Sequence, residues 1–146
     1  MIYKKIFFMR KITLFLISFL FTTFVHANTI NPKDIIKFFD VCSIKSSLGQ
    51  MCKMDSFNSY EYFKGLDEVI KDNKAHYKEG DFWEFYFTIE EQTNEQAIIT
   101  FEDLALRGTY KSIESLIFKK DNDKWKLYSI KNIHPNNEKE FKVITE

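Results

Sequence analysis

The spacing of apolar residues changes from helical to alternating near Gly80-Asp81. Before that point, Asn31-Pro32-Lys33-Asp34 reads as a helix start: an N-cap side chain, a proline at the first helical position and an acid in the first turn. Ile35, Phe38, Phe39 and Cys42 follow at i, i+3, i+4 and i+7, which predicts one apolar stripe on a helix running to about Ser43. Tyr60, Tyr62, Phe63, Leu66, Val69 and Ile70 give a partly helical pattern interrupted by Gly65, which predicts short helices over 58–63 and 66–73. From Phe82 onward, Trp83, Phe85, Phe87 and Ile89 alternate with Glu84, Tyr86, Thr88 and Glu90, as in a strand with one buried face. Asn94-Glu95 turns the chain, and Ala97, Ile99 and Phe101 resume the alternation. Leu104 and Leu106 then have the opposite parity, which predicts a bulge near Glu102-Asp103. Arg107-Gly108 and Asp121-Asn122-Asp123 predict two further turns, bounding strands over Ser112–Lys120 and from Trp125 to Ile133. The tail over 138–146 reads as frayed or as a short edge segment.

The expected architecture is α+β: N-terminal helices packed on a curved, cone-like sheet of four antiparallel strands, with no crossover helix between strands. Neither a repeat nor a second domain is indicated, so residues 28–146 form one domain.

The first 27 residues change the charge and the compartment. Their only charges are Lys4, Lys5, Arg10 and Lys11, and the stretch from Ile12 to Val25 is uncharged and ends in Val25-His26-Ala27. A basic start, a short apolar run and a small-x-small exit predict a signal peptide cut after Ala27, with export to the periplasm or outside the cell. The run is shorter than the roughly 20 residues of a spanning helix. Translation from Met9 instead of Met1 leaves the same pattern. The full chain carries 21 basic and 21 acidic residues, so losing four basic ones leaves the exported part with a net charge of −4. That balance disfavours nucleic acid as a partner, and the exported part is expected to be soluble.

Export also decides how Cys42 and Cys52 are read, since an even pair in an oxidising compartment usually joins. The Ser-Ser and Gly between them predict a turn that the disulfide staples. Two free thiols are the alternative; the Cys-x-x-Cys spacing of a thiol oxidoreductase is absent.

Candidate chemistry is sparse. His76 and His134 stand apart with no ligand spacing, so neither metal nor cofactor is expected. Neither a nucleophile elbow nor a phosphate loop is present. Tyr60, Tyr62, Phe63, Trp83, Phe85, Phe87 and Phe101 suit the lining of an apolar pocket, or equally a core between helices and sheet. Arg107 is the sole arginine after Ala27 and, with Tyr110 beside it at a hairpin tip, suits a protein contact.

The run from Lys119 to Ile130, strand, acidic turn, Trp125-Lys126 and aliphatic strand, placed after helices and long hairpins, resembles the nuclear transport factor 2-like superfamily over about residues 31–134. The resemblance implies a sheet wrapped around helices into a cone, in a superfamily that holds isomerases, dehydratases, ligand binders, secretion components and immunity proteins. Cystatin-like and other helix-on-sheet folds share the pattern. A fold of that kind does not select a function. An isomerase of that superfamily pairs a carboxylate base with a tyrosine or protonated acid; the resemblance nominates only Asp103, Glu102, Tyr60 and Tyr62, none within a motif. The expected function is therefore non-enzymatic: an exported protein that binds another protein, such as an immunity or accessory protein, alone or as a homodimer. A carrier of a small apolar ligand in the cone is the alternative, and an isomerase or dehydratase a more distant one.

Overall fold

A computed structural model of the chain describes residues 29–133 and 139–142. The predicted signal segment, its cut after Ala27, and His134 lie outside the described residues.

Seven strands form one antiparallel sheet in which each strand pairs with the next in sequence. They are β1 (Asp67–Lys71), β2 (Lys74–Glu79), β3 (Trp83–Gln92), β4 (Gln96–Ala105), β5 (Lys111–Asp121), β6 (Lys124–Asn132) and β7 (Lys139–Lys142). The four-stranded, helix-backed α+β domain expected from the sequence is therefore corrected: about half of the described residues lie in strands, and the helical parts among them are short. β1 and β2 occupy the stretch expected to hold a helix over 66–73 and a polar connector. The apolar residues there fit both periods over so short a run. What separates them is the two-residue turn Asp72-Asn73, which brings Lys71 opposite Lys74 with Asp72 at φ 52° and leaves Ala75 and Tyr77 buried on one face. The β5–β6 turn behaves as its sequence suggested: Asn122 and Asp123 both take positive φ, the geometry that matches strand twist in a tight hairpin.

The first helix is shorter than expected. A 3₁₀ segment, Pro32–Lys37, is capped by Asn31, whose side chain accepts from the Lys33 N–H. It stops because later backbone groups are taken by side chains. Asp40 accepts the Cys42 N–H at 3.0 Å, and the buried Ser59 hydroxyl accepts the Val41 N–H at 3.0 Å. Two further 3₁₀ segments follow, Val41–Ser43 and Ser47–Lys53. The one α-helix described, α1 (Ser59–Lys64), starts where the sequence placed it, with Asn58 accepting from the Glu61 N–H.

These short segments cover one face of the sheet. Phe63 of α1 meets Tyr77 and Phe85 at 5.4 Å and Phe87 at 5.5 Å, all edge-on. Phe39 closes on Phe87 at 5.1 Å and on Phe101 at 5.3 Å. Edge-to-face pairs of this kind add to what area burial already supplies. Two register shifts occur, between Ile89 and Glu91 and between Ile117 and Phe118. The bulge expected near Glu102-Asp103 is not one of them. β4 runs unbroken, Asp103 keeps the parity of Ile99 and Phe101, Leu104 points to the opposite face, and Leu106 lies beyond the strand. Cys42 and Cys52 are joined in a disulfide, as expected.

Candidate functional site

The features that packing alone does not explain gather at one end of the sheet, where the β2–β3 and β4–β5 turns lie side by side. Gly80 takes φ 53°, which lets the chain reverse after β2 and sends Phe82 outward. The Leu106 N–H donates to the Phe82 carbonyl at 2.8 Å, and the Ala105 N–H donates to the Tyr110 carbonyl at 3.1 Å. The first bond fixes the two turns against each other, and the second closes the β4–β5 turn on itself. The result is an exposed rim: Phe82 is 58% exposed, Leu106 42% and Tyr110 40%. The Arg107 guanidinium lies 5.1 Å from the centre of the Phe82 ring and 3.9 Å from the Asp81 carboxylate. Trp83 meets Tyr110 edge-on at 5.6 Å.

Tyr110 reaches inward as well. Its hydroxyl interacts with Asp103 and Ser112, and both burial and the Asp103 charge push its pKa up. Asp103 of β4 and Glu114 of β5 lie on the covered face of the sheet, at 0% and 2% exposure. Asp103 stands opposite Ser112, and Glu114 opposite Phe101, so the two acids are diagonal neighbours. Ser47, the first residue of the 47–53 segment, binds Asp103 twice, through its N–H at 2.9 Å and its hydroxyl at 3.0 Å. Burial raises the Asp103 pKa, while the Ser47 bonds oppose the rise. Glu114 lacks such support. Burial, and then the charge of Asp103, push it to about 7, and its Oε2 is buried without a hydrogen-bond partner among the described residues. A buried acid with no cation beside it does best holding its proton.

Paired carboxylates with shifted pKa values also mark active sites. Here both are closed off from solvent, and Ser47 occupies both carboxylate oxygens of Asp103. Glu102, also nominated, faces the other side of the sheet and pairs with Lys111 at 3.5 Å. Tyr62 donates to Glu79 at 2.9 Å and not to either acid. Tyr60 is half-buried, with the Lys64 ammonium 5.8 Å from its ring centre.

The residues expected to line a pocket divide in two. Phe63, Phe85, Phe87 and Phe101 are buried against one another, and Tyr62 closes the cluster from its edge. Trp83, half-buried, packs against the core from the rim, where it meets Tyr110. Arg107 and Tyr110, expected to form a partner contact, are brought together there with Phe82 and Leu106, which sequence reasoning did not single out. His76 lies on the far face, stacked on Tyr86 at 4.3 Å with Nε2 3.5 Å from Glu84. Among the described residues, no group of three or more potential ligands could hold a metal ion, and no helix is long and apolar enough to cross a membrane. A depression of about 270 Å³ lies elsewhere, between the Pro32–Lys37 segment and the β5–β6 turn, with Asp34, Lys37, Phe38, Lys120 and Trp125 on its walls.

No protein-family model, curated protein or solved structure matches the chain. Function is therefore argued from the residues themselves.

Proposed function

We propose that this is an exported, non-enzymatic domain that binds another protein through the rim of Phe82, Trp83, Leu106, Arg107 and Tyr110. The observation that carries the reading is the preset geometry of that rim. One backbone hydrogen bond ties its two turns together, a second closes the β4–β5 turn on itself, and the Tyr110 ring, set edge-on to Trp83, stays exposed. Aromatic residues and arginine dominate the energetics of protein contacts. Groups already held in place lose little freedom on binding. The partner this rim suits offers an apolar hollow for Phe82 and Leu106 and a carboxylate for Arg107, which has only a long contact to Asp81 at present. The mutual packing of Phe63, Phe85, Phe87 and Phe101 is the reason to prefer a protein over a small apolar ligand. The enclosure of Asp103 and Glu114 is the reason to prefer binding over catalysis. Export rests on the basic-then-apolar N-terminus, and the Cys42–Cys52 disulfide supports it.

The test is photocrosslinking in the producing cell. A crosslinking residue at position 107 should trap one protein, and the same residue at Asp123, on the β5–β6 turn, should not. Loss of the adduct on adding Phe82→Ala supports the rim. Equal trapping at both positions, or none at 107, counts against it.

A further inference from the structure

β1 lies at one edge of the sheet, and among the described residues it pairs on one side only, with β2. All five of its residues are exposed, Val69 at 60%. An open edge is a template for another strand. Short length and charged side chains usually guard it, and β1 is short, reading Asp67-Glu68-Val69-Ile70-Lys71. Its charges, however, are arranged to accept one particular strand. When β1 lies antiparallel to a second β1 with Val69 opposite Val69, Asp67 falls opposite Lys71 at both ends. Opposite charges at facing positions stabilise a strand pair and like charges oppose it.

The faces agree as well. Strand partners point to the same side of a sheet. Asp67, Val69 and Lys71 share the face of their β2 partners Lys78, His76 and Lys74, whereas Glu68 and Ile70 share the covered face with Tyr77 and Ala75. In the centred register each copy therefore continues the same face of its partner's sheet, about a two-fold axis through Val69. Lys71 gives a further reason. Its β2 partner is Lys74, another cation, whose ammonium lies over the Tyr86 ring at 4.2 Å. A carboxylate from a second Asp67 would offset that repulsion. On the covered face Ile70, 38% exposed, would come beside Glu68, which the Tyr77 hydroxyl already holds at 2.8 Å.

We propose that β1 is a self-pairing edge, joining two copies of the exported domain through antiparallel β1–β1 contact centred on Val69. This surface is separate from the rim, so either proposal can fail without the other.

The experiment is sedimentation of the exported domain over a micromolar concentration series, with charge reversals at exposed positions that leave the core untouched. The wild type should dimerise reversibly. Asp67→Lys alone and Lys71→Asp alone should each weaken dimerisation tenfold or more, because like charges then face one another at both ends. The two reversals combined should restore it to within about threefold. A wild type that stays monomeric throughout overturns the proposal, as does a dimer indifferent to the single reversals or one that the double reversal fails to rescue.

Discussion

Ser47 holds Asp103 from two directions, with its N–H on one carboxylate oxygen and its hydroxyl on the other, at 2.9 and 3.0 Å. The acid is fully buried on β4, and Ser47 opens a segment stapled by the disulfide, so this contact ties the Cys42–Cys52 loop to the sheet. Ser47→Ala keeps the N–H bond and removes the hydroxyl from a buried carboxylate. A hydrogen bond to a charged group contributes about 1.5–3 kcal/mol. Urea denaturation should show a loss of about 2 kcal/mol with an unchanged m-value.

The disulfide should act on the same contact. Closing a loop of this length is worth about 3 kcal/mol in the chain-entropy model, so Cys42→Ser with Cys52→Ser should lower stability by about that amount. Once the loop is no longer pinned, Ser47 holds Asp103 less firmly. Adding Ser47→Ala to the double serine variant should then cost less than it does in the wild type. Strict additivity of the two losses would show that loop and carboxylate are independent.

Glu114 sets a pH dependence. Its folded-state pKa of about 7 lies above its ordinary 4.5. Between those values the folded protein holds a proton that the unfolded chain has released. Stability from this group is therefore complete below about pH 4.5, falls as pH rises to about 7, and is level above that. The groups facing Glu114 that bear on this are Asp103 and Tyr110, and the buried Asp103 acts in the same direction. The fall amounts to about 3 kcal/mol at most, from 1.36 kcal/mol per unit. Thermal melts of Glu114→Gln should lose most of this slope and exceed the wild type above pH 7. A wild-type slope that survives the substitution would place the titrating group elsewhere.

Much of this arrangement was written in local pattern, and the rest depended on what strands face. The alternation through Trp83–Ile89, the turn at Asn122-Asp123, the helix starts at Asn31 and Asn58 and the disulfide all follow from neighbours in sequence. Leu66, Val69 and Ile70 did not, because a short apolar run fits a helix as well as a strand until its partner is known. The first helix failed for a similar reason: the Ser59 hydroxyl that takes the Val41 N–H is distant in sequence. Glu114 was hidden because both parities of β5 carry apolar residues, Leu116 and Phe118 on one face and Ile113 and Ile117 on the other. Only pairing with Phe101 shows which side is covered. Arg107 and Tyr110 were visible as a contact pair. Phe82 joins them only when two turns distant in sequence meet.

Phe63 is the ring on which the covered face converges, with Tyr62, Tyr77, Phe85 and Phe87 all within 5.5 Å. It has no exposed surface. Phe63→Ala should leave a cavity among rigid rings that collapse poorly, at a cost of about 3–5 kcal/mol. Phe63→Leu should retain more than half of that. A loss under 1 kcal/mol for the alanine variant would mean that the rings close the gap.

Tyr110 and Arg107 occupy the same rim and should separate stability from binding. Tyr110→Phe keeps the ring against Trp83 and removes the hydroxyl that interacts with Asp103 and Ser112. That should cost about 1 kcal/mol in a melt and leave partner affinity within about threefold. Arg107 has a side chain 68% exposed and a 3.9 Å contact to an equally open Asp81, a pair that contributes little to folding. Arg107→Ala should therefore leave stability within about 0.5 kcal/mol of the wild type and weaken binding of the crosslinked partner tenfold or more. Because the arginine lies over Phe82, Phe82→Ala should lose part of the same binding energy, and the double variant should fall short of the sum. Calorimetric titration of the purified partner against the three variants checks each expectation. Arg107→Ala binding as tightly as the wild type would remove the rim from the interface.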